Sequence, residues 1–315
     1  MKPDKPSNTA LIVAAGLQLA REHVVLSQDA LRLGEQLLEY AHPRLARMLR
    51  KPWFRRLCEL LERATLPGIC LHLALRKQIV RQHAHAAIAA GCTQVVVIGA
   101  GLDTLCMELK AARPDLCCIE IDHPATQLAK RAAHRGNEID FIAGDLAQQE
   151  LGELLKAHPH FRADASTLFV AEGLLMYLPL DAVRALFAHM AAAAPHSQVA
   201  FTWFEAHANG RHGFGQRSRL IDCWLKWRGE PFLSSMARTE LATLLSGVGF
   251  ALQNLNASSD LIDISWGTQR PIEGEYIALA STLRATGPGQ HEAPGAPVER
   301  LRRTGLAGPV ASAVS

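Results

Sequence analysis

Residues 95–124, VVVIGAGLDTLCMELKAARPDLCCIEIDHP, constrain the fold of this chain more than any other stretch. Val95 to Ile98 form a short β-branched run closed by a turn, the pattern of a strand buried on both faces of a parallel sheet. Gly99 and Gly101 supply a tight turn and let a ligand approach the backbone closely. A helix over 102–112 leads to a second strand over 116–121. Asp122 stands at its tip, twenty-one positions after Gly101, where a carboxylate can grip both hydroxyls of a ribose. The unit predicts a cofactor that contains adenosine.

The turn also narrows which cofactor. A dinucleotide site wants a third glycine where the helix starts under the pyrophosphate. In Gly99-Ala100-Gly101-Leu102-Asp103-Thr104 that position is Thr104, which weighs against NAD and FAD. S-adenosylmethionine carries no phosphate and does not need that helix end held open. Two further motifs follow in order, GDL at 144–146 and AEGLLMYLP at 171–179. Together with GAGLDT and with EIDHPATQLAK at 120–130, they make residues 8–282 resemble the leucine carboxyl methyltransferase-like group of S-adenosylmethionine-dependent methyltransferases. The bacterial branch of that group is associated with O-methylation in polyketide and related small-molecule pathways. The resemblance implies an α/β, Rossmann-like methyltransferase fold. It also implies a seven-stranded, mostly parallel sheet with the last pair reversed, under an N-terminal helical cap. S-adenosylmethionine would be the methyl donor and S-adenosylhomocysteine the product.

Residues 1–90 read as the helical cap, punctuated by Pro43, Pro52 and Pro67-Gly68. From Cys92 the pattern becomes strand–helix units, so 91–284 forms the cofactor domain. Strands are expected at 94–98, 116–121, 139–142, 166–171, 197–203, 249–254 and 275–281. Helices are expected at 102–112, 124–133, 147–156, 180–192 and 238–246. Residues 205–230, with Gly210, Gly213 and Gly215, read as a flexible insertion beside the site. Residues 285–315 have the composition of a disordered tail.

Composition excludes several classes. Net charge is only +3, without basic residues interleaved with aromatics, so nucleic acid is not an expected partner. No apolar run is long enough to span a membrane, and no membrane partner is expected. Lys2 and Lys5 before ALIVAAGLQLA imitate a short signal peptide. Gln18 interrupts that run, however, and Arg21-Glu22-His23 follows without a small-residue cleavage site. An N-capped amphipathic helix from Asn8 or Thr9 is the better reading. Seven cysteines without a Cys-x-x-Cys pair fit reduced thiols and a cytoplasmic location.

Asp122 either binds the ribose or caps the helix that begins at Pro124. Glu120, on the same strand face but deeper, suits a structural hydrogen bond or a secondary cofactor contact. Asp145 either accepts from the adenine amine, with Leu146 as an apolar wall, or caps the next helix. Glu172 ends an apolar strand at the ligand crevice, and the resemblance places it at the methionine end. The resemblance also makes Arg76 the partner of the methionine carboxylate, a task that suits a bidentate guanidinium. Two departures stand out: Arg81 occupies a position where an acid is usual, and Leu105 follows GLDT where an arginine is common.

Met176 and Tyr177 are candidates for the acceptor pocket. His207 and His212 are candidate bases if the acceptor is a hydroxyl; a carboxylate acceptor needs none. His83 and His85 point to different helix faces, and no cluster shows metal-ligand spacing, so no metal is expected. Small-molecule O-methylation is the leading reading, with a small-molecule acceptor as partner. Carboxyl methylation of a protein C-terminus, as in the eukaryotic relatives, and a non-catalytic cofactor-binding regulator are the alternatives. The oligomeric state is left open.

Overall fold

The computed structural model describes residues 8–23, 26–133, 139–146, 148–207, 210–214, 225, 227, 229–262 and 270–283. The expected tail at 285–315, and Gly215 with much of the expected insertion, lie outside the described residues.

Seven strands form one sheet: β1 (Gln94–Ile98), β2 (Cys117–Asp122), β3 (Asp140–Ala143), β4 (Thr167–Ala171), β5 (Ser197–Phe204), β6 (Phe250–Ala257) and β7 (Glu275–Thr282). Their spatial order is β3-β2-β1-β4-β5-β7-β6. β1 pairs in parallel with β2 and β4, β2 with β3, and β4 with β5. β7 runs antiparallel to both of its neighbours, β5 and β6. The expectation of a reversed last pair is therefore corrected, since β6 points with the parallel strands and only β7 opposes them. A parallel return needs a long crossover, usually a helix. β7 runs against both neighbours and slots between β5 and β6.

β1 is buried along its whole length, and its side chains alternate between two cores. Val95 and Val97 join one with Leu75, Ile79, Cys106 and Leu109. Val96 and Ile98 join the other with Val183, Phe187, Leu241 and Leu245. The helices on the two faces are α5 (Ile69–Ala89), α6 (Leu105–Ala112), α7 (Pro124–Ala133), α8 (Leu151–Lys156), α9 (Leu180–Ala193) and α10 (Arg238–Gly247). α6 starts three residues later than expected because Asp103 Oδ1 accepts from the N–H groups of Thr104 and Leu105, at 2.7 and 3.3 Å, and holds 102–104 in a turn.

In front stand α1 (Asn8–Leu19), α2 (Gln28–Ala41), α3 (Pro43–Leu49) and α4 (Pro52–Thr65). α1 begins where the sequence placed it. Gln18 is buried and donates its amide to the Leu31 carbonyl at 3.0 Å, so the polar break in the apolar run is an inter-helix hydrogen bond. Ala14, Leu38, Ala46 and Leu49 pack around Leu102, which leaves the glycine turn directly into the cap. α5 packs against α1 and also against β4, β5 and β7, so it belongs to both layers. Among the described residues no helix is long and apolar enough to cross a membrane.

Glu120 is resolved as structural. Its carboxylate lies 2.5 Å from Lys130 Nζ on α7, with both side chains at most 2% exposed. Removing one partner strands the other charge in the core. Lys130→Met should therefore destabilise the protein by about 3–5 kcal/mol in urea unfolding, and adding Glu120→Leu should recover most of that loss.

Candidate active site

The carboxyl ends of β1, β2, β3 and β4 meet at one rim, and each expected acidic tip lies there. Gly99 and Gly101 adopt φ of 69° and 53°, the left-handed region that favours glycine. Space restricts them too. A Cβ on Gly99 would stand 3.1 Å from Leu174, and one on Gly101 would stand 3.2 Å from Ala10 of α1. The turn is thus pressed between the loop after β4 and the first helix of the cap.

Asp122 accepts from Gly101 N–H at 2.5 Å and from His123 N–H at 2.6 Å, one bond to each oxygen. Burial pushes its carboxyl above the usual range, and those two N–H groups work against that shift. α7 is capped by the next residue instead: Ala125 N–H points to His123 Nδ1 at 3.3 Å, and Thr126 and Gln127 donate to the His123 carbonyl. A carboxylate offers about four acceptor positions, so two remain for a vicinal diol. Asp145 shows the turn geometry. Its carboxylate accepts from Gln148 Nε2 at 3.0 Å, and its carbonyl accepts from the N–H groups of Gln148 and Gln149. Leu146 beside it is half-buried against the core.

Behind the rim lies a buried charge network centred on α5. Arg76 donates from Nε to Glu172 Oε1 at 2.9 Å and from Nη1 to both Glu275 oxygens at 3.0 and 2.9 Å. Lys77 Nζ bridges Asp103 and Glu172, each at 3.1 Å. Arg81 engages Thr104 at 3.0 Å and both oxygens of Glu108. His72 lies 2.8 Å from Glu275 and 2.7 Å from Ser258. Burial alone would raise the Glu275 carboxyl, but Arg76 and His72 hold it down to about 2. Burial works the same way on Asp103, and Lys77 and Arg81 reverse it.

Arg76 therefore reaches the rim with Nε on Glu172 and Nη1 on Glu275, while Nη2 lies beside Gly173. Two departures from the expected pattern also find their reason. With no arginine at 105, Glu108 one turn along α6 takes Arg81 instead. Three cations, Arg76, Lys77 and Arg81, face four carboxylates, Asp103, Glu108, Glu172 and Glu275. Glu172 Oε2 is buried without a hydrogen-bond partner. An unmet acceptor in an acid-rich cluster at the rim suits a cationic ammonium and sulfonium, and so fits S-adenosylmethionine.

The remaining candidates gather on the cap side. Met176 is buried, and its carbonyl accepts from Leu233 N–H at 2.7 Å. Tyr177 is half-buried against Phe232, with ring centroids 5.4 Å apart. Thr9, at the start of α1, binds Glu230 through its N–H at 3.1 Å and through its hydroxyl, and it also bonds Tyr177. His207 Nε2 lies 2.6 Å from the Gly213 carbonyl, and His212 Nδ1 lies 2.7 Å from Ser235 Oγ. Sequence reasoning missed Lys77, Asp103, Glu275, His72 and Glu230. For three of them a signal existed: His72, Arg76, Lys77 and Arg81 punctuate the largely apolar first half of a helix, and Glu275 opens an apolar strand.

The sheet order, the single reversed strand and the acidic rim define a Rossmann-like methyltransferase. The sequence profile of the leucine carboxyl methyltransferase family matches residues 10–191, and the chain belongs to that family. A Mycobacterium ulcerans protein named for S-adenosyl-L-methionine-dependent methyl transfer is 31% identical over 228 residues, covering 68% of this chain and 70% of that one. A relative named in the same way from Mycobacterium marinum matches at 31%, covering 48% of this chain and 50% of its own length. Bacillus subtilis YktD is 24% identical, covering 59% of this chain and 63% of its own. The crystal structure of a Thermobifida fusca protein described as a methyltransferase superimposes with a TM-score of 0.53 at 15% identity, over 73% of this chain and 88% of that one, and shows the fold alone. The protein is an S-adenosylmethionine-dependent methyltransferase.

The network carries a pH dependence with a definite sign. Glu275 is held at about 2 when folded against an ordinary 4.5, so its contribution is complete above about pH 4.5 and is lost as pH falls toward 2. Urea midpoints measured from pH 5 down to about pH 2 should fall across that window. Glu275→Gln should lower the midpoint at neutral pH and flatten the acid slope.

Proposed function

We propose that the enzyme transfers a methyl group to an oxygen of a small, largely apolar acceptor, a carboxylate or hydroxyl of the polyketide kind. An aromatic wall beside the charge network is the observation that supports this reading. Phe204 ends β5 and packs against Phe214 and Phe232 at centroid distances of 4.9 and 4.8 Å. Tyr177 extends the wall through Phe232, and Phe214 meets His72 edge-on at 5.3 Å. Phe214, Phe232 and Tyr177 are half-buried, so they offer ring faces and edges to a flat acceptor.

S-adenosylmethionine supplies an electrophilic methyl group on a sulfonium. The chain's own part is to orient and to exclude water. Asp122 and the glycine turn hold the nucleoside end, and Glu172 offers its open oxygen to the amino-acid end. Burial pushes the Tyr177 phenol above its ordinary range, so it serves as a neutral hydrogen-bonding wall and not as a base. A carboxylate acceptor needs no base. For a hydroxyl acceptor, His207 donates Nε2–H to the Gly213 carbonyl, which leaves Nδ1 as its basic nitrogen.

The family's description, leucine carboxyl methyltransferase, supports a second reading in which the acceptor is a leucine carboxylate, as a protein C-terminus can supply. The six described cysteines are all free, which supports a reducing, cytoplasmic setting. Neither nucleic acid nor a membrane enters this reading as a partner.

Formation of S-adenosylhomocysteine with a panel of aromatic acids and phenols, set against peptides ending in leucine, tests the choice. Turnover is expected with the small acceptors; turnover confined to the peptides would replace this reading with the second. Asp122→Ala should weaken S-adenosylmethionine binding by about 2–4 kcal/mol in calorimetry. Phe232→Ala should raise the acceptor KM and leave cofactor affinity unchanged.

A further inference from the structure

The amino-terminal edge of the sheet, opposite the rim that carries Gly101 and Asp122, brings together three groups that methyl transfer does not use. Asp140 opens β3, the outermost strand. His158 and His160 lie between α8 and β4, separated by Pro159. One carboxylate oxygen and one nitrogen from each imidazole all lie within 4.8 Å of one another. His160 Nδ1 is 2.9 Å from both Asp140 oxygens. The two imidazole rings stand nearly perpendicular, 79° apart, with centroids 5.6 Å apart. The His160 side chain is 65% exposed and that of Asp140 is 27% exposed, so an ion can enter from solvent and complete its shell with water.

The geometry points to a divalent transition-metal site formed by Asp140, His158 and His160. Two imidazoles and one carboxylate suit Zn²⁺ and its neighbours Co²⁺, Ni²⁺ and Cu²⁺, whereas Mg²⁺ and Ca²⁺ take oxygen donors. The three donors leave coordination positions for water. The ion takes the place of the proton between His160 Nδ1 and Asp140: a neutral imidazole carries that proton on Nε2 instead, and an imidazolium gives one up, so acid competes with the ion for the site. A bound ion would tie the 157–166 connection to β3, a four-residue strand at the open edge of the sheet. The site lies at the far end of the strands from the methyl-donor rim, so it stabilises the edge and takes no part in the chemistry. Sequence spacing gave no warning, because His-Pro-His alone is not a ligand pattern and its third member arrives through the fold. The expectation of no metal is the one this proposal replaces.

Titration calorimetry of the untagged, chelator-stripped protein with ZnCl₂ tests it, together with thermal unfolding with and without the ion. One equivalent should bind, with a raised melting temperature and weaker binding in acid. Loss of one ligand should weaken binding by about tenfold or more, in His160→Ala and in Asp140→Asn. Cys117, whose Sγ sits 3.6 Å from the His160 carbonyl but outside the donor trio, gives the control. Cys117→Ser should bind Zn²⁺ as the parent does. His160→Ala should melt close to the parent when metal-free, because that side chain is largely exposed. Absence of saturable binding would overturn the proposal. So would an isotherm unchanged in both ligand variants, which would put the ion on other histidines.

Discussion

The structure depends on the burial of three cations on one helix. Arg76, Lys77 and Arg81 lie on α5 with side chains 6–7% exposed. A charge so placed is tolerated only when paired and hydrogen-bonded. Their partners come from separate parts of the chain: Asp103 from the glycine turn, Glu108 from α6, Glu172 from the end of β4 and Glu275 from the start of β7. Each ion pair therefore fixes one loop of the rim relative to α5. The alternative to assembling the rim is to leave a buried charge unmet.

The same helix explains how the cap is held to the site. α5 packs on the sheet with one side and on α1 with another. α1 in turn lies against Gly101 and anchors its first turn on Glu230. The left-handed backbone at 101 already favours glycine, and α1 closes the space that a side chain would need, so the helix that roofs the turn reinforces its sequence. Asp122 closes the arrangement from below by accepting the Gly101 N–H. The helix cap that the sequence offered for Asp122 falls to His123, and the carboxylate instead holds the glycine turn, with acceptor positions left over for the ribose contact proposed above.

Strands and their tips were legible because buried parallel strands leave a plain signature. VVVI, CCIEID and TLFVA are apolar runs bounded by turns, and an acidic residue at the end of such a run has nowhere to go but the crevice. Helix starts were less legible: α6 and α8 begin late because Asp103 and Asp145 bind their own following backbone. The reversed strand was expected, but not that β6 keeps the common direction, since strand polarity depends on the connection and not on local pattern. Arg76 and Glu172 were found, and the other partner of the guanidinium was not. Glu275 lies 199 residues away from it, and no periodicity links them. Asp140 and the histidines at 158 and 160 escaped for the same reason.

An excess of carboxylates over cations behind the rim has a consequence for the chemistry. A dinucleotide pyrophosphate would meet Glu172, Asp103 and Asp122 as like charges, and Thr104 stands where the helix end would have to open. A sulfonium amino acid brings positive charge to the same place. Transfer of the methyl group removes the sulfonium charge, so the thioether product loses part of the attraction that held the donor, while its ammonium keeps the rest. If Glu172 meets the amino-acid end of the donor as proposed, an acid-rich rim favours the sulfonium over the thioether by charge. That discrimination works only while Arg76 stays neutralised by Glu172 and Glu275. A guanidinium released toward the rim would offset the excess on which it rests.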